Sequence, residues 1–128
     1  MIVADTDVLI DYLRGAGPLA DRVAFELEHG LATTVVTAFE LWAGAIGSRK
    51  RERAVDTLLG ALTILPLDAE DARCAASLRR ALETSGKAIG MADSLIAGMC
   101  VRHRAVLITR NRAHFERVPG LVISSSVN

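Results

Sequence analysis

Asp5, Glu40, Asp93 and Asn111 are the side chains of this sequence whose types and positions could do chemistry together. Asp5 ends the apolar run "IVAD", Glu40 follows "VVTAF", Asp93 interrupts the small and apolar segment "AIGMADSLIAGM", and Asn111 comes just after "AVLITR". Three of them have plain structural explanations. Asp93 suits an N-cap or first helical turn, Asn111 a cap or turn, and Glu40 the capping box Thr37-Ala-Phe-Glu40, reaching back to the backbone N–H of Thr37. Asp5 resists such an explanation, because a carboxylate at the end of a buried strand needs partners or a cation to stay charged. Like carboxylates repel, so gathering three costs free energy unless a cation offsets it. An all-oxygen set without a His/Cys cluster suits Mg²⁺ or Mn²⁺ rather than Zn²⁺. Such ions serve phosphoryl chemistry, polarising the phosphate and lowering the pKa of a bound water.

The elements that must position these residues alternate between strand and helix. "IVA" reads as a buried strand, and the spacing of Leu9, Ile10 and Leu13 starts a helix near Thr6 or Asp7 that fades at Gly15. On it, Asp7 and Asp11 share a face expected to be solvated, with Asp7 near the positive end of the helix dipole and Asp11 paired with Arg14. "GPLADRVAFELEHG" reads as a Pro-started helix, "LATTVVT" as a β-branched strand, and "TAFELWAGAIGS" and "RKRERAVDTLLGAL" as helices. "TILPL" is a strand, and "DAEDARCAASLRRALETSG" a helix opened by Asp68 and closed by Gly86. "IGMADSLIAGMCVRHR" is a helix, "AVLIT" a strand, "NRAHFERV" a short helical turn and "LVIS" a last edge strand. This order predicts a single α/β domain over residues 1–128, a mostly parallel sheet of four to five strands with helices on both faces. The strand-to-helix junctions of such a sheet share one edge, where ligands bind.

Composition narrows the classes. At 128 residues, 51% hydrophobic, 23% charged and with 15 basic against 15 acidic side chains, the chain is neither disordered nor a generally basic nucleic-acid binder. Cys74 and Cys100 have no metal-ligand spacing and read as buried, reduced thiols, in keeping with a reducing cytoplasm. With no basic leader and no membrane-length apolar run, a soluble cytoplasmic protein is expected.

The segments "VADTDVLIDYLRG", "TAFELWAGA", "GMADSLIAG" and "LITRNRAHFERVPGL", taken in order, resemble the successive motifs of PIN-domain ribonucleases of the VapC toxin type. The resemblance spans nearly the whole chain. It implies a PIN-like fold and a Mg²⁺- or Mn²⁺-dependent endoribonuclease acting as the toxin of a toxin–antitoxin pair. It also implies an antitoxin protein as partner and a homodimer. By it, Asp5, Glu40 and Asp93 are the acidic metal-site residues, and Asn111 stands at a fourth position that in the family is Asp or Asn. Asn111 adds no negative charge, so one metal is expected to bind first. Asp5 and Asp93 are then its direct ligands, Glu40 acts through a water, and any second ion arrives with the RNA phosphate.

Other readings are weaker. "DTD" also fits the start of a haloacid-dehalogenase-like phosphatase with Asp5 as nucleophile and Asp7 as acid, but Lys50 and Lys87 stand in no matching context. A non-catalytic partner-binding module with a vestigial acidic site would use Tyr12 or Trp42, with Phe39 expected in the core. Arg110 and Arg112 flank Asn111 and could meet RNA phosphates. Arg49, Lys50, Arg51 and Arg53 form a run that reads as a solvated helix face, and a lone His114 on a short turn reads as a surface or packing residue. The scarcity of aromatics argues against an extended base-stacking platform.

Overall fold

In the computed structural model, which describes residues 1–124, the short apolar runs become five strands. The chain runs β1 (Ile2–Ala4), α1 (Thr6–Arg14), α2 (Ala20–His29), β2 (Ala32–Thr34), α3 (Val35–Ala45) and α4 (Arg49–Gly60). It continues β3 (Thr63–Leu65), α5 (Ala69–Thr84), α6 (Met91–His103), β4 (Val106–Ile108), α7 (Arg112–Phe115) and β5 (Val122–Ile123). The strands form one sheet in the order β3-β2-β1-β4-β5. Every pairing is parallel, with Val3 opposite Ala32 on one side of β1 and opposite Leu107 on the other. This is the expected α/β architecture.

Strand alternation divides the core in two. Ala4 and Ile108 pack with Val8, Leu9, Val23, Leu41 and Leu58 from α1–α4, whereas Val3 and Leu107 pack with Ile96, Met99, Cys100 and Phe115 from α6 and α7. On the second face α5 and α6 lie close together: a Cβ at Gly98 would sit 2.8 Å from the Ala75 backbone nitrogen, so only glycine allows this approach.

The connections after β1 and β2 move outward toward β3, and the chain then returns to place β4 on the other side of β1. Crossovers leaving neighbouring strands in opposite directions open a crevice beyond the carboxyl ends of those strands. Here those strands are β1 and β4, followed at once by Asp5 and Thr109.

Several local expectations are corrected. The α2 helix begins at Ala20, after Gly17 and Pro18, because Gly17 at φ +94° turns the chain against Asp11. The second strand ends at Thr34, which caps α3 by accepting from the Thr37 N–H at 3.1 Å; the cap outweighs the β preference of Val35 and Val36. Phe39 is 68% exposed, because Ala38, Leu41 and Ala45 take the core-facing positions of α3. Phe39 instead joins Val35, Trp42 and Ile46 among the exposed apolar side chains of this segment. Cys100 is buried as expected, but Cys74 is only half-buried. No helix among the described residues is long and apolar enough to cross a membrane.

Candidate active site

Asp5 sits where β1 gives way to α1. Its backbone N–H donates to the Ile108 carbonyl at 3.0 Å, extending the β1–β4 pairing by one residue. Its side chain caps α1, Oδ1 accepting from the Thr6 N–H at 2.7 Å. Its other oxygen, Oδ2, accepts from the Thr109 hydroxyl at 2.8 Å. The carboxylate is only 5% exposed. Burial pushes its pKa from 3.8 to about 6; the two hydrogen bonds oppose that rise, and the charges of Asp93 and Asp7 add to it. None of these influences is a cation.

The other candidates gather around it by different routes. Glu40, half-buried in the second turn of α3, accepts from the Thr6 hydroxyl at 2.6 Å. Its expected capping box with Thr37 does not form: the Thr37 N–H is taken by Thr34, and Glu40 looks across to α1 instead. Thr6 Oγ1 also lies 3.0 Å from Thr37 Oγ1, so one hydroxyl joins both elements. Asp93 lies in the first turn of α6, whose N-cap, Gly90, offers no side chain, so Asp93 is a first-turn acid rather than a cap. This helix follows α5, not a strand. Asn111 is the residue before α7 yet makes no side-chain cap bond. Its N–H donates to Thr109 Oγ1 at 2.9 Å, and its Nδ2 lies 2.9 Å from His114 Nδ1, which is 3.4 Å from Asp93 Oδ2.

Asp11 departs from expectation. It is buried at 7% exposure, and its partner is not Arg14 but Arg110, whose Nε lies 3.1 Å from Oδ2. The N–H is not aimed at that oxygen, which makes no hydrogen bond, so the contact is purely ionic. Arg110 also approaches Asp7 at 3.9 Å. Arg112 donates to the Ser124 carbonyl at 2.5 Å and pairs with Glu116 at 3.4 Å. Both arginines therefore flank Asn111 with intramolecular partners already in place.

Two residues of this constellation, Thr6 and Thr109, were not singled out from the sequence. The available signal was adjacency: a hydroxyl directly after the strand-end Asp5, and another at the end of β4, two residues before Asn111. Behind the site, the Cys100 thiol is pushed up to about 12 by burial and by the charge of Asp5.

Among the described residues, no three His, Cys, Asp or Glu side chains converge into a ready-made metal cage. The donor chemistry nonetheless fits a hard divalent cation: oxygen ligands, a buried carboxylate without a counter-charge, and a second acid close enough to raise its pKa.

A parallel five-stranded sheet with acids at its switch point defines an α/β domain built for ligands at one edge, and the PIN domain family matches residues 2–121. The chain belongs to that family. Within it, the chain is 31% identical over 121 residues to the tRNA(fMet)-specific endonuclease VapC of Shigella flexneri, covering 91% of each. It is 35% identical over 116 residues to ribonuclease VapC10 of Mycobacterium tuberculosis, covering 90% of this chain and 86% of that one. It also superposes on solved structures of VapBC2 from Rickettsia felis bound to a promoter DNA fragment and of VapBC-1 from nontypeable Haemophilus influenzae. The TM-scores are 0.84 and 0.83, at 26% and 28% identity, covering 97% and 98% of this chain and 98% of each matched chain. The chain is thus a PIN-domain protein of the VapC ribonuclease type, and the phosphatase reading of "DTD" falls away.

Proposed function

We propose that this protein is a Mg²⁺- or Mn²⁺-dependent endoribonuclease serving as the toxin of a toxin–antitoxin pair in the cytoplasm, with Asp5, Glu40, Asp93 and Asn111 as its site. The observation that carries the reading is Asp5: a buried carboxylate at the β1/β4 switch point, its pKa raised to about 6, with no basic group to neutralise it. A bound divalent ion would polarise the scissile phosphate and lower the pKa of an attacking water. The residues do the positioning. Thr109 and the Thr6 N–H fix both oxygens of Asp5, and the Thr6 hydroxyl holds Glu40 toward the same edge. Asp5 and Asp93 would hold the ion directly, with Glu40 acting through a water to orient the nucleophile. Arg110 and Arg112 would contact RNA phosphates by exchanging their present carboxylate and carbonyl partners for them.

The relatives' solved complexes carry the paired VapBC name, and the exposed Val35, Phe39, Trp42 and Ile46 offer apolar surface to a protein partner. An antitoxin that places a basic side chain among the acids would supply the charge that metal otherwise provides, and a homodimer is the expected assembly.

Cleavage of purified cellular RNA in Mn²⁺ tests the enzymatic reading. Chelation should stop it, and Asp93→Asn should lower the rate by orders of magnitude with the fold intact. Undiminished cleavage in Asp93→Asn overturns the site, and a folded, metal-loaded protein that cleaves no RNA favours the non-catalytic module. Glu40→Gln separates roles: Gln still accepts from Thr6, so a lost rate marks Glu40 as functional.

A further inference from the structure

Asn111 stands at the mouth of the switch-point crevice, and an asparagine amide presents two chemically opposite ends: Oδ1 accepts hydrogen bonds or binds a cation, and Nδ2 donates. Which end faces the acids decides whether the residue assists a cation or opposes one. The backbone of Asn111 is fixed through Thr109, whose hydroxyl oxygen receives the Asn111 N–H at 2.9 Å while donating to Asp5 at 2.8 Å. Its side chain is fixed by His114. Nδ2 of Asn111 lies 2.9 Å from His114 Nδ1. An amide nitrogen only donates, so in this arrangement Nδ1 accepts and the neutral ring carries its proton on Nε2.

The same Nδ1 lies 3.4 Å from Asp93 Oδ2. One ring nitrogen cannot accept from Asn111 and donate to Asp93 at once, so the two contacts are mutually exclusive as hydrogen bonds. The shorter is to Asn111. No hydrogen bond among the described residues engages Oδ1 of Asn111, and the side chain does not cap α7, so capping does not account for its orientation.

We propose that His114 is a positioning residue of the site: by accepting from Nδ2 it commits the donor end of the Asn111 amide and leaves Oδ1 as the end offered to a divalent cation or its bound water. The inference rests on the reading of the acids as the active site. It differs from that reading in assigning the orientation of Asn111 to a residue outside the acidic set. Partners that orient a ligand in this way are worth about 10- to 100-fold in metal affinity or activity when removed.

Two measurements test it. Nitrogen-15 NMR of the metal-free protein at mildly basic pH should show His114 as the Nε2–H tautomer with an unprotonated Nδ1. An Nδ1–H tautomer, which would instead donate to Asp93, overturns the proposal. Mn²⁺ titration should then show weaker binding in His114→Phe by about 10- to 100-fold, with partial rescue in His114→Gln, whose Oε1 accepts from the same amide. Adding His114→Phe to Asn111→Ala should cause no further loss. Additive losses, or unchanged Mn²⁺ affinity in His114→Phe, also overturn it. If the acids are not the active site, cleavage survives Asp93→Asn while the NMR result stands, so the two failures are distinguishable.

Discussion

Asp71 and Asp5 are both carboxylates at a helix N-terminus and both almost inaccessible, at 1% and 5% exposure, yet the protein treats them in opposite ways. Asp71 is the N3 residue of a capping box with Asp68, each side chain accepting from the other's backbone N–H at 2.8 and 3.1 Å. Arg102 adds a charge-assisted hydrogen bond at 2.8 Å. Its guanidinium pKa rises, chiefly through that bond. Asp5 receives two neutral donors, no cation, and two more acids within electrostatic reach. Asp11 lies between them, buried but paired with the half-exposed Arg110. A buried acid that the fold has neutralised is structural; one left charged against its surroundings is poised for an external cation.

The sharpest break in that comparison is Asp5→Asn. Asn keeps the cap and still accepts a hydrogen bond, so the fold should survive while RNA cleavage falls by orders of magnitude. The same substitution should stabilise the metal-free protein at pH 8. Folded Asp5 keeps its proton up to about pH 6 whereas its ordinary pKa is 3.8, so the folded state binds the extra proton and stability falls as pH rises between those values. At about 1.4 kcal/mol per pH unit, removing the charge should recover up to about 3 kcal/mol, read from urea unfolding at pH 8 and absent at pH 3. Mn²⁺ should raise the Tm of the wild type more at pH 8 than at pH 5, and the difference should shrink in Asp5→Asn.

Asp71→Ala makes the opposite prediction. It removes a cap partner and leaves Arg102 with only the exposed Asp68, at 3.1 Å, so stability should drop by about 1–2 kcal/mol with cleavage per folded molecule unchanged. A loss of activity beyond the loss of folded protein would erase the distinction between the two acids. The smallest effect on cleavage belongs to Arg110→Met. The change leaves the buried Asp11 without its cation, so stability should fall as well. A raised KM for RNA that narrows as salt increases would show that Arg110 also meets phosphate.

The sheet, and the place of Asp5 at its edge, were legible in the sequence because both follow from local pattern: an apolar run ending in an acid, then a change of period. Asn111 after the fourth strand was legible for the same reason. What escaped depends on contacts between distant segments. Asp11 looks like a solvated helix residue until Arg110, far along the chain, folds against it. Glu40 matches a capping box until Thr34 takes the Thr37 N–H and Thr6 arrives across α1. Phe39 was misplaced because two small residues, Ala38 and Ala45, allow α3 to approach the core on their side and turn the aromatic outward. His114 reads as a surface or packing residue and is half-exposed, but its contacts with Asn111 and Asp93 appear only when α7 sets it beside them.

The fully buried thiol of Cys100 makes the inner face of α6 a natural reporter of opening. Alkylating reagents attack the thiolate, and a thiol whose pKa lies at about 12, with no accessible surface, reacts only while that helix is lifted from the sheet. With Cys74 replaced by Ser, the rate at which iodoacetamide consumes the remaining thiol becomes the rate or population of that lifting. Because α6 also carries Asp93, a slower reaction in the presence of Mn²⁺ would time how firmly cation binding clamps the helix down.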